Sequence, residues 1–322
     1  MIYLLLLLAV PVALLWIFGS REKVDLTATF DPAALGHDLD AYFATEEAKF
    51  PDIIPGAAKR VIWASAQHVK TSVSVLYIHG FSACSEEIRP VPDNLAQALG
   101  ANLVYTRLSG HGRGGAAMAE PEAGDWMRDA AEALAAARQV GTQVIVVATS
   151  TGGTVLAAAA LREDLMQNVA GLIFVSPNFA IRNPAAFLLT LPGVRWWGPK
   201  LVGAERRFDP INAQHAAFWT TRYPTVAALP MAALVKAVSR LNLGAARTPA
   251  LFMFCEKDAV VSPRKTRAIA RQWGGPSQIH LAALGPGDDP WNHVIAGDIL
   301  SPGQTGKVSK AMIDWSKDIL AR

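Results

Sequence analysis

The chain has 322 residues, enough for one large catalytic domain with a small insertion. Its formal net charge is only +3, without a dense basic run, and this excludes the strongly basic surface of a nucleic-acid-binding protein. Cys84 and Cys255 lie far apart and make neither a disulfide framework nor a metal site. We therefore expect no nucleic-acid partner and no metal. The apolar fraction of 51% predicts a sizeable core or a membrane element.

The first predicted element is an apolar helix over 1–20. Residues 2–18 carry no charge, and as a helix they span about 26 Å, close to the thickness of a hydrocarbon core. The segment lacks the basic start and the small-residue cleavage site of a secretory signal, so the sequence favours a transmembrane anchor over an uncleaved signal. A run of leucines disfavours the third alternative, a buried core helix. We expect a membrane-anchored protein of bacterial inner-membrane type, with its membrane face unassigned.

Residues 21–60 form a predicted linker with a short amphipathic helix near 38–50. Pro51, Pro55 and Gly56 mark the end of this segment. From residue 61 onward, short apolar runs alternate with helical segments. The predicted strands are 73–79, 102–106, 143–148, 172–175, 251–254 and 278–283. The predicted helices begin near Asp125, Thr154, Ser262 and Lys307. Unbroken apolar strands between helices predict an α/β fold for 61–322, with a mostly parallel sheet covered on both faces.

The alternation stops at about 178–248, which is too long for an ordinary connection. We predict a small, mostly helical cap inserted between strands 6 and 7, the strands at 172–175 and 251–254. The cap contains five large aromatic residues that could cover the acyl chain of a substrate or simply form the core of the cap. These substrate-binding candidates are Phe187, Trp196, Trp197, Phe218 and Trp219.

The strongest local signal is a serine between an apolar strand and a helix, in the pattern Ala148-x-Ser150-x-Gly152. A nucleophilic serine on such a sharp turn needs small residues two positions before and after it, because backbone segments approach closely there. The usual pattern has glycine at both positions, and Ala148 departs from it. Ser150 could also be an ordinary helix cap.

Two further residues complete a catalytic set in the chain order typical of this kind of turn: serine, acid, histidine. Asp258 follows the strand at 251–254, and His293 follows the strand at 278–283. Both are therefore expected at the carboxyl edge of the sheet, where open α/β sheets carry their sites. Glu256 is the rival acid, which we interpret as a surface residue.

An oxyanion hole requires backbone N–H groups aimed at the developing negative charge. The residue after the nucleophile, Thr151, supplies the first predicted donor. Phe81, in the loop after the strand at 73–79, supplies the second. His79 in that loop is expected to hold the loop in place, and His111 between two glycines marks another tight loop near the site.

Five short motifs together resemble the α/β-hydrolases of the monoacylglycerol lipase and lysophospholipase group. They are Ile78-His79-Gly80-Phe81-Ser82, Gly110-His111-Gly112, the turn at Ser150, Asp258-Ala259-Val260-Val261 and Asn292-His293-Val294. The resemblance covers about 70–320 and is loosest in the cap. It implies a Ser-His-Asp mechanism, no cofactor, and esters of apolar acids as substrates.

We therefore expect a serine carboxylic-ester hydrolase of the esterase or lipase type, with a small-molecule or lipid ester as its substrate. Two alternatives stay open. The same catalytic residues could serve a transacylase, a thioesterase or an amidase. The fold could also belong to a catalytically silent, membrane-anchored binding protein, because one fold hosts many functions.

Overall fold

The computed structural model describes residues 14–322, and its centre is a seven-stranded sheet. In chain order the strands are β1 (Arg60–Ile62), β2 (Thr71–Ile78), β3 (Asn102–Tyr105), β4 (Gly141–Thr149), β5 (Val169–Val175), β6 (Glu205–Arg207), β7 (Arg222–Pro224), β8 (Ala250–Phe254) and β9 (Ser277–Leu281). The central sheet has the order β1-β3-β2-β4-β5-β8-β9, and only the edge strand β1 runs antiparallel to its neighbour. The predicted α/β fold with a mostly parallel sheet is confirmed.

Helices cover both faces of this sheet. They are α1 (Leu39–Glu47), α2 (Val91–Leu99), α3 (Ala123–Val140), α4 (Thr151–Ala159), α5 (Glu163–Met166), α6 (Val194–Val202), α7 (Ala213–Phe218), α8 (Ala228–Val238), α9 (Pro263–Gln272) and α10 (Pro302–Leu320). One apolar core lies where α3, α4 and α8 meet the sheet, and a second lies beneath α2 and α10. Because β4 is apolar on both faces, it is buried between the two cores.

The helix starts follow local capping rules. The Ser262 side chain accepts a hydrogen bond from the N–H of Lys265, and Pro263 occupies the first position of α9. The helix α3 begins at Ala123, two residues before the predicted start near Asp125. Glu122 is the capping residue there, and the Asp125 side chain accepts a hydrogen bond from the N–H of Glu122.

Between β5 and β8 the chain forms the 3-10 helix Pro184–Thr190, the helices α6, α7 and α8, and an antiparallel ribbon of β6 and β7. The ribbon was not predicted, because its strands are three residues long and have no apolar alternation. The strand count was also wrong, since only five strands of the central sheet precede the insertion in residues 14–322. The domain bounds at 20, 60 and 178–248 stay predictions.

The predicted membrane-anchored location is corrected by the structure. Among residues 14–322, no helix combines the length and the apolar character needed to cross a membrane. Within the predicted anchor, helical residues 14–18 end before Gly19, whose N–H donates to the Leu15 carbonyl. The chain then turns against the insertion, where the N–H of Gly193 donates to the carbonyl of Ser20. Residues 1–13 of the predicted anchor lie outside the described residues.

Candidate active site

Ser150 lies at the sharp turn between β4 and α4, with φ 50° and ψ −114°. A residue with a side chain rarely adopts this region, and its use here projects the hydroxyl away from the sheet. A Cβ at Gly152 would lie 2.5 Å from the carbonyl oxygen of Ile78, so this position requires glycine. Ala148 is buried in register between Ile78 of β2 and Phe174 of β5, and alanine fits there.

The structure brings the three predicted catalytic side chains into one hydrogen-bonded chain. His293 Nε2 lies 3.0 Å from Ser150 Oγ, and His293 Nδ1 lies 2.8 Å from Asp258 Oδ2. Glu256, the rival acid, is exposed and pairs with Arg267 instead. Asp258, in the loop after β8, is therefore the carboxylate that is hydrogen-bonded to the histidine.

The hydrogen bonds of Asp258 determine which nitrogen of His293 carries a proton. The other carboxylate oxygen, Oδ1, accepts from the N–H groups of Val260 at 2.8 Å and Val261 at 2.9 Å. An ionised carboxylate only accepts, so Nδ1 of His293 carries the proton and Nε2 presents its lone pair to Ser150. Burial lowers the pKa of His293, but the charge and hydrogen bond of Asp258, together with the charges of Glu87 and Asp289, outweigh burial and raise that pKa above its ordinary value.

Both predicted oxyanion donors lie in segments that pass close to Ser150. Thr151 is the first residue of α4, so its N–H has no acceptor within the helix and lies at the positive end of the helix dipole. The loop that contains Phe81 passes close to the nucleophile, since a Cβ on Gly80 would lie 3.1 Å from the Cβ of Ser150. The ring of Phe81 packs edge-on against Tyr223 of β7.

A family model described as Serine aminopeptidase, S33 matches residues 70–283, more than half of the chain. The chain belongs to this family. The matched region runs from β2 to just beyond β9 and contains Ser150 and Asp258, whereas His293 follows it. No curated protein sequence matches the hydrolase significantly.

Solved structures with a similar fold include lipases. The structure reported for LipS and LipT, two metagenome-derived lipolytic enzymes, is 22% identical, with a TM-score of 0.66 over 82% of this chain and 99% of that one. A soluble variant of monoglyceride lipase from Saccharomyces cerevisiae is 13% identical, with a TM-score of 0.62 over 81% and 91%. The monoacylglycerol lipase of Paleococcus ferrophilus is 14% identical, with a TM-score of 0.58 over 81% and 98%. At these identities the likeness shows the fold alone, which is that of the α/β-hydrolases. The suspected resemblance is confirmed.

Two buried histidines hold the loops around the site of the hydrolase. His79 Nδ1 lies 2.8 Å from the Gly80 carbonyl, and its Nε2 accepts from the N–H of Leu108. His111 Nδ1 lies 3.1 Å from the Ser109 carbonyl. Burial lowers the pKa of His79 to about 3 and that of His111 to about 4, so both rings are neutral at physiological pH. These contacts join the loop after β2 to the loop after β3.

Two residues that support the site were missed from the sequence. Asp289 Oδ2 accepts from the N–H groups of His293 and Val294, each at 2.9 Å, and thereby holds the histidine loop. An aspartate before Pro290 is typical of a loop turn and could have indicated this role. The side chain of Arg182, at the start of the insertion, donates to the carbonyl of Asp258, and nothing in the sequence indicates this contact.

The five aromatic candidates of the insertion have different surroundings. Trp219 is buried and Phe218 packs beside it against the core under α2 and α10. Phe187 and Trp196 are 63% and 69% exposed, and Trp197 donates its indole N–H to the Pro192 carbonyl. Their role in substrate binding stays a prediction. Residues 14–322 contain no group of three or more acidic, histidine or cysteine side chains arranged to hold a metal ion.

Proposed function

We propose that the chain is a serine carboxylic-ester hydrolase that acts on apolar acyl esters through an acyl-enzyme intermediate. The observation that carries this proposal is the unbroken chain of hydrogen bonds from Ser150 through His293 to Asp258, at a turn that opens α4. A hydroxyl, a neutral imidazole and a buried carboxylate in this order are the parts of an activated nucleophile.

The first half-reaction transfers the acyl group to the enzyme. His293 Nε2 removes the proton from Ser150 Oγ as the oxygen attacks the ester carbonyl. Asp258 holds the imidazole in the required tautomer and stabilises the imidazolium that forms. The N–H groups of Phe81 and Thr151 hold the oxyanion, and the loss of one such donor costs about 3 kcal/mol of transition-state stabilisation. His293 then gives its proton to the leaving alcohol.

The second half-reaction releases the acid and restores the serine. A water molecule replaces the alcohol, His293 takes its proton, and the resulting hydroxide attacks the acyl carbonyl. The tetrahedral intermediate uses the same two N–H groups and expels Ser150 Oγ, which recovers its proton from His293. The residues of the chain supply each proton transfer, so this mechanism uses no cofactor.

The surroundings of the site support an apolar acyl group. The rings of Phe81 and Tyr223 meet at 5.5 Å between centroids beside the oxyanion loop, and the Thr220 N–H donates to the Ser82 carbonyl in that loop. The insertion therefore contacts the oxyanion loop with an aromatic surface. Lipases among the similar structures also support this substrate class. An apolar surface discriminates weakly between chain lengths, so we expect a broad preference.

The test is hydrolysis of p-nitrophenyl esters from acetate to palmitate by the parent and by Ser150→Ala. We expect the parent to hydrolyse several of these esters and the variant to lose roughly 10⁴-fold or more in kcat/KM. The chain-length optimum then defines the size of the acyl site. Activity that survives in Ser150→Ala would show that another residue is the nucleophile.

The description of the matched family favours a second candidate, a serine aminopeptidase with the same catalytic residues. Aminoacyl p-nitroanilides, assayed beside the esters, separate the two activities. A transacylase or thioesterase would instead show its preference for an added alcohol acceptor or for thioesters. Absence of every activity, together with no covalent labelling by a fluorophosphonate, would leave a silent binding protein.

A further inference from the structure

The carboxyl group of Glu87 is buried directly beneath the oxyanion loop. Glu87 belongs to the 3-10 helix Ser85–Ile88, and its Oε2 accepts from the N–H of Gly80 at 2.7 Å and from the hydroxyl of Tyr77 at 2.9 Å. A Cβ on Gly80 would lie 2.6 Å from Glu87 Oε1 and 3.1 Å from the Cβ of Ser150. The carboxyl group is therefore on the side of the loop that faces the nucleophile.

The same group is linked to the turn that carries Ser150. The hydroxyl of Tyr77 has one proton, which it donates to Glu87, so the Thr149 hydroxyl at 3.1 Å donates to Tyr77. Thr149 immediately precedes Ser150. One buried network thus joins the nucleophile turn, the carboxyl end of β2 and the residue before Phe81.

The titratable groups that face Glu87 are Tyr77 on β2, the Cys84 thiol next to its own turn, and His293. Burial raises the pKa of Tyr77 well above its ordinary value and that of Cys84 to about 12, so both stay protonated near neutral pH. Burial raises the pKa of Glu87 to about 7, against its two hydrogen bonds and the charge of His293.

The charge of Glu87 acts in turn on the catalytic histidine. Three carboxyl groups favour the protonated imidazole of His293: Asp258 through its hydrogen bond and charge, and Glu87 and Asp289 through their charges. The pKa of Glu87 is raised to about 7, and the pKa of His293 is raised above its ordinary value. Their protons are therefore coupled in the range where the enzyme would work.

We propose that Glu87 is a positioning residue of the ester hydrolysis. Its carboxylate holds the N–H of Gly80 so that the next N–H, that of Phe81, faces the oxyanion, and its charge supports the positive charge that His293 acquires. This role is additional to the triad and the two oxyanion donors, and it rests on the function proposed above. Protonation of Glu87 removes the charge and weakens the hold on the loop.

The sharpest variant is Glu87→Gln, because the amide keeps the volume and a carbonyl oxygen for both hydrogen bonds while it removes the charge. We expect kcat at pH 8 to fall roughly tenfold with little change in KM, because imidazolium stabilisation is lost in the transition state. We expect the acid limb of the kcat/KM profile to move to lower pH by about 0.5–1 unit, because removal of the negative neighbour lowers the pKa of His293. The acid limb should also contain one ionisation fewer, because the carboxyl group of Glu87 is absent from the variant.

Tyr77→Phe is the matched second variant, because it keeps the charge and removes one hydrogen bond to it. Loss of that bond raises the pKa of Glu87, so the acid limb should move to higher pH, opposite to the effect of Glu87→Gln. Circular dichroism and thermal unfolding check that each variant folds. If Glu87→Gln fails to fold, the direction of the Tyr77→Phe shift decides the inference.

The titration of the His293 imidazole by NMR needs no substrate, so it separates this inference from the proposed function. We expect a lower midpoint in Glu87→Gln than in the parent. Equal midpoints and superimposable pH profiles would overturn the role of Glu87 even in an active esterase. A parent that hydrolyses no ester but shows the shifted midpoint would overturn the proposed function and keep the charge coupling between Glu87 and His293.

Discussion

The loops at the carboxyl edge of the sheet and the insertion between β5 and β8 are built in different ways. At the edge, buried carboxylates bind backbone N–H groups: Asp258 holds the loop after β8, and Asp289 holds the loop after β9. In the insertion, the β6–β7 ribbon has only three residue pairs, and Trp196 is mostly exposed. The comparison indicates that buried hydrogen bonds hold the edge rigidly, whereas the insertion has fewer such constraints.

The largest expected effect tests the edge. Asp258→Asn should lower kcat/KM roughly 10³–10⁴-fold, because the amide can donate to Nδ1 and favours the wrong tautomer of His293. The measurement is p-nitrophenyl ester hydrolysis at saturating and limiting substrate. Glu256→Gln is the control and should stay within about twofold, as expected for an exposed side chain. Equal losses in both variants would contradict the assignment of the acid.

A second variant tests the close approach at the nucleophile turn. Gly152→Ala places a Cβ 2.5 Å from the Ile78 carbonyl oxygen, so the backbone must shift. We expect the free energy of unfolding in urea to fall by about 1–3 kcal/mol and ester hydrolysis to fall with it. Gly114→Ala is the matched control, because its Cβ would meet nothing within 4 Å. Equal stability of the two variants would show that the turn adapts freely.

A third variant removes the carboxylate that holds the histidine loop. Asp289→Ala leaves the buried N–H groups of His293 and Val294 without an acceptor, at a cost of about 1–3 kcal/mol in unfolding free energy. We expect kcat to fall more than KM rises, because the imidazole loses its orientation toward Ser150. Asp314→Ala, at an exposed ion pair of α10, serves as the control. A loss of stability with unchanged kcat would show that Asp289 stabilises the fold but does not position His293 for the reaction.

The pH dependence provides a smaller effect with a definite sign. His293 must be neutral to accept the proton of Ser150, so kcat/KM should rise with pH as the imidazole deprotonates. Because Asp258 raises the pKa of His293, the midpoint should lie above the ordinary value of about 6.5. The profile is measured with one ester from pH 5 to 9. A midpoint at or below 6.5 would contradict the raised pKa.

The smallest expected effect tests the insertion. Trp196→Ala should change the free energy of unfolding by less than about 0.5 kcal/mol, because most of its surface is exposed, whereas Trp219→Ala should cost about 3–5 kcal/mol. The KM of Trp196→Ala for long-chain esters then tests whether Trp196 contacts the substrate. An increase for palmitate alone, at unchanged stability, would assign Trp196 to the acyl site. An unchanged KM would show that Trp196 does not contact the acyl chain.

Much of the catalytic edge was predictable because its signals are local or follow chain order. An apolar strand, a serine and a close-packed glycine predict the turn at Ser150 from a few adjacent residues. Parallel strands place their carboxyl ends at one edge, so the positions of Asp258 and His293 after two strands already implied proximity. Burial on both faces made β8 a continuous apolar run, whereas β9 is partly exposed, and the bounds of both strands differ from prediction by a few residues.

Glu87 and Asp289 could not be predicted with the same certainty, because their partners are backbone N–H groups and a tyrosine hydroxyl, which occur everywhere in a chain. The ribbon of β6 and β7 also lacks a pattern, since its exposed residues obey no apolar period. At the other end, an uncharged leucine-rich start predicted a membrane anchor, but hydropathy describes composition and not the contacts that the chain makes. Gly193 and Ser20 meet only in the folded molecule.

By itself the sequence determined the parallel sheet, the sharp turn at Ser150 and the order of serine, acid and histidine, because strand burial and turn geometry act over a few neighbouring residues. Only the tertiary structure decided that the Glu87 carboxyl lies beneath the oxyanion loop, that Asp289 holds the histidine, and that Trp219 is buried while Trp196 is exposed. The physical reason is that burial, charge coupling and hydrogen-bond partners depend on distances between residues far apart in the chain.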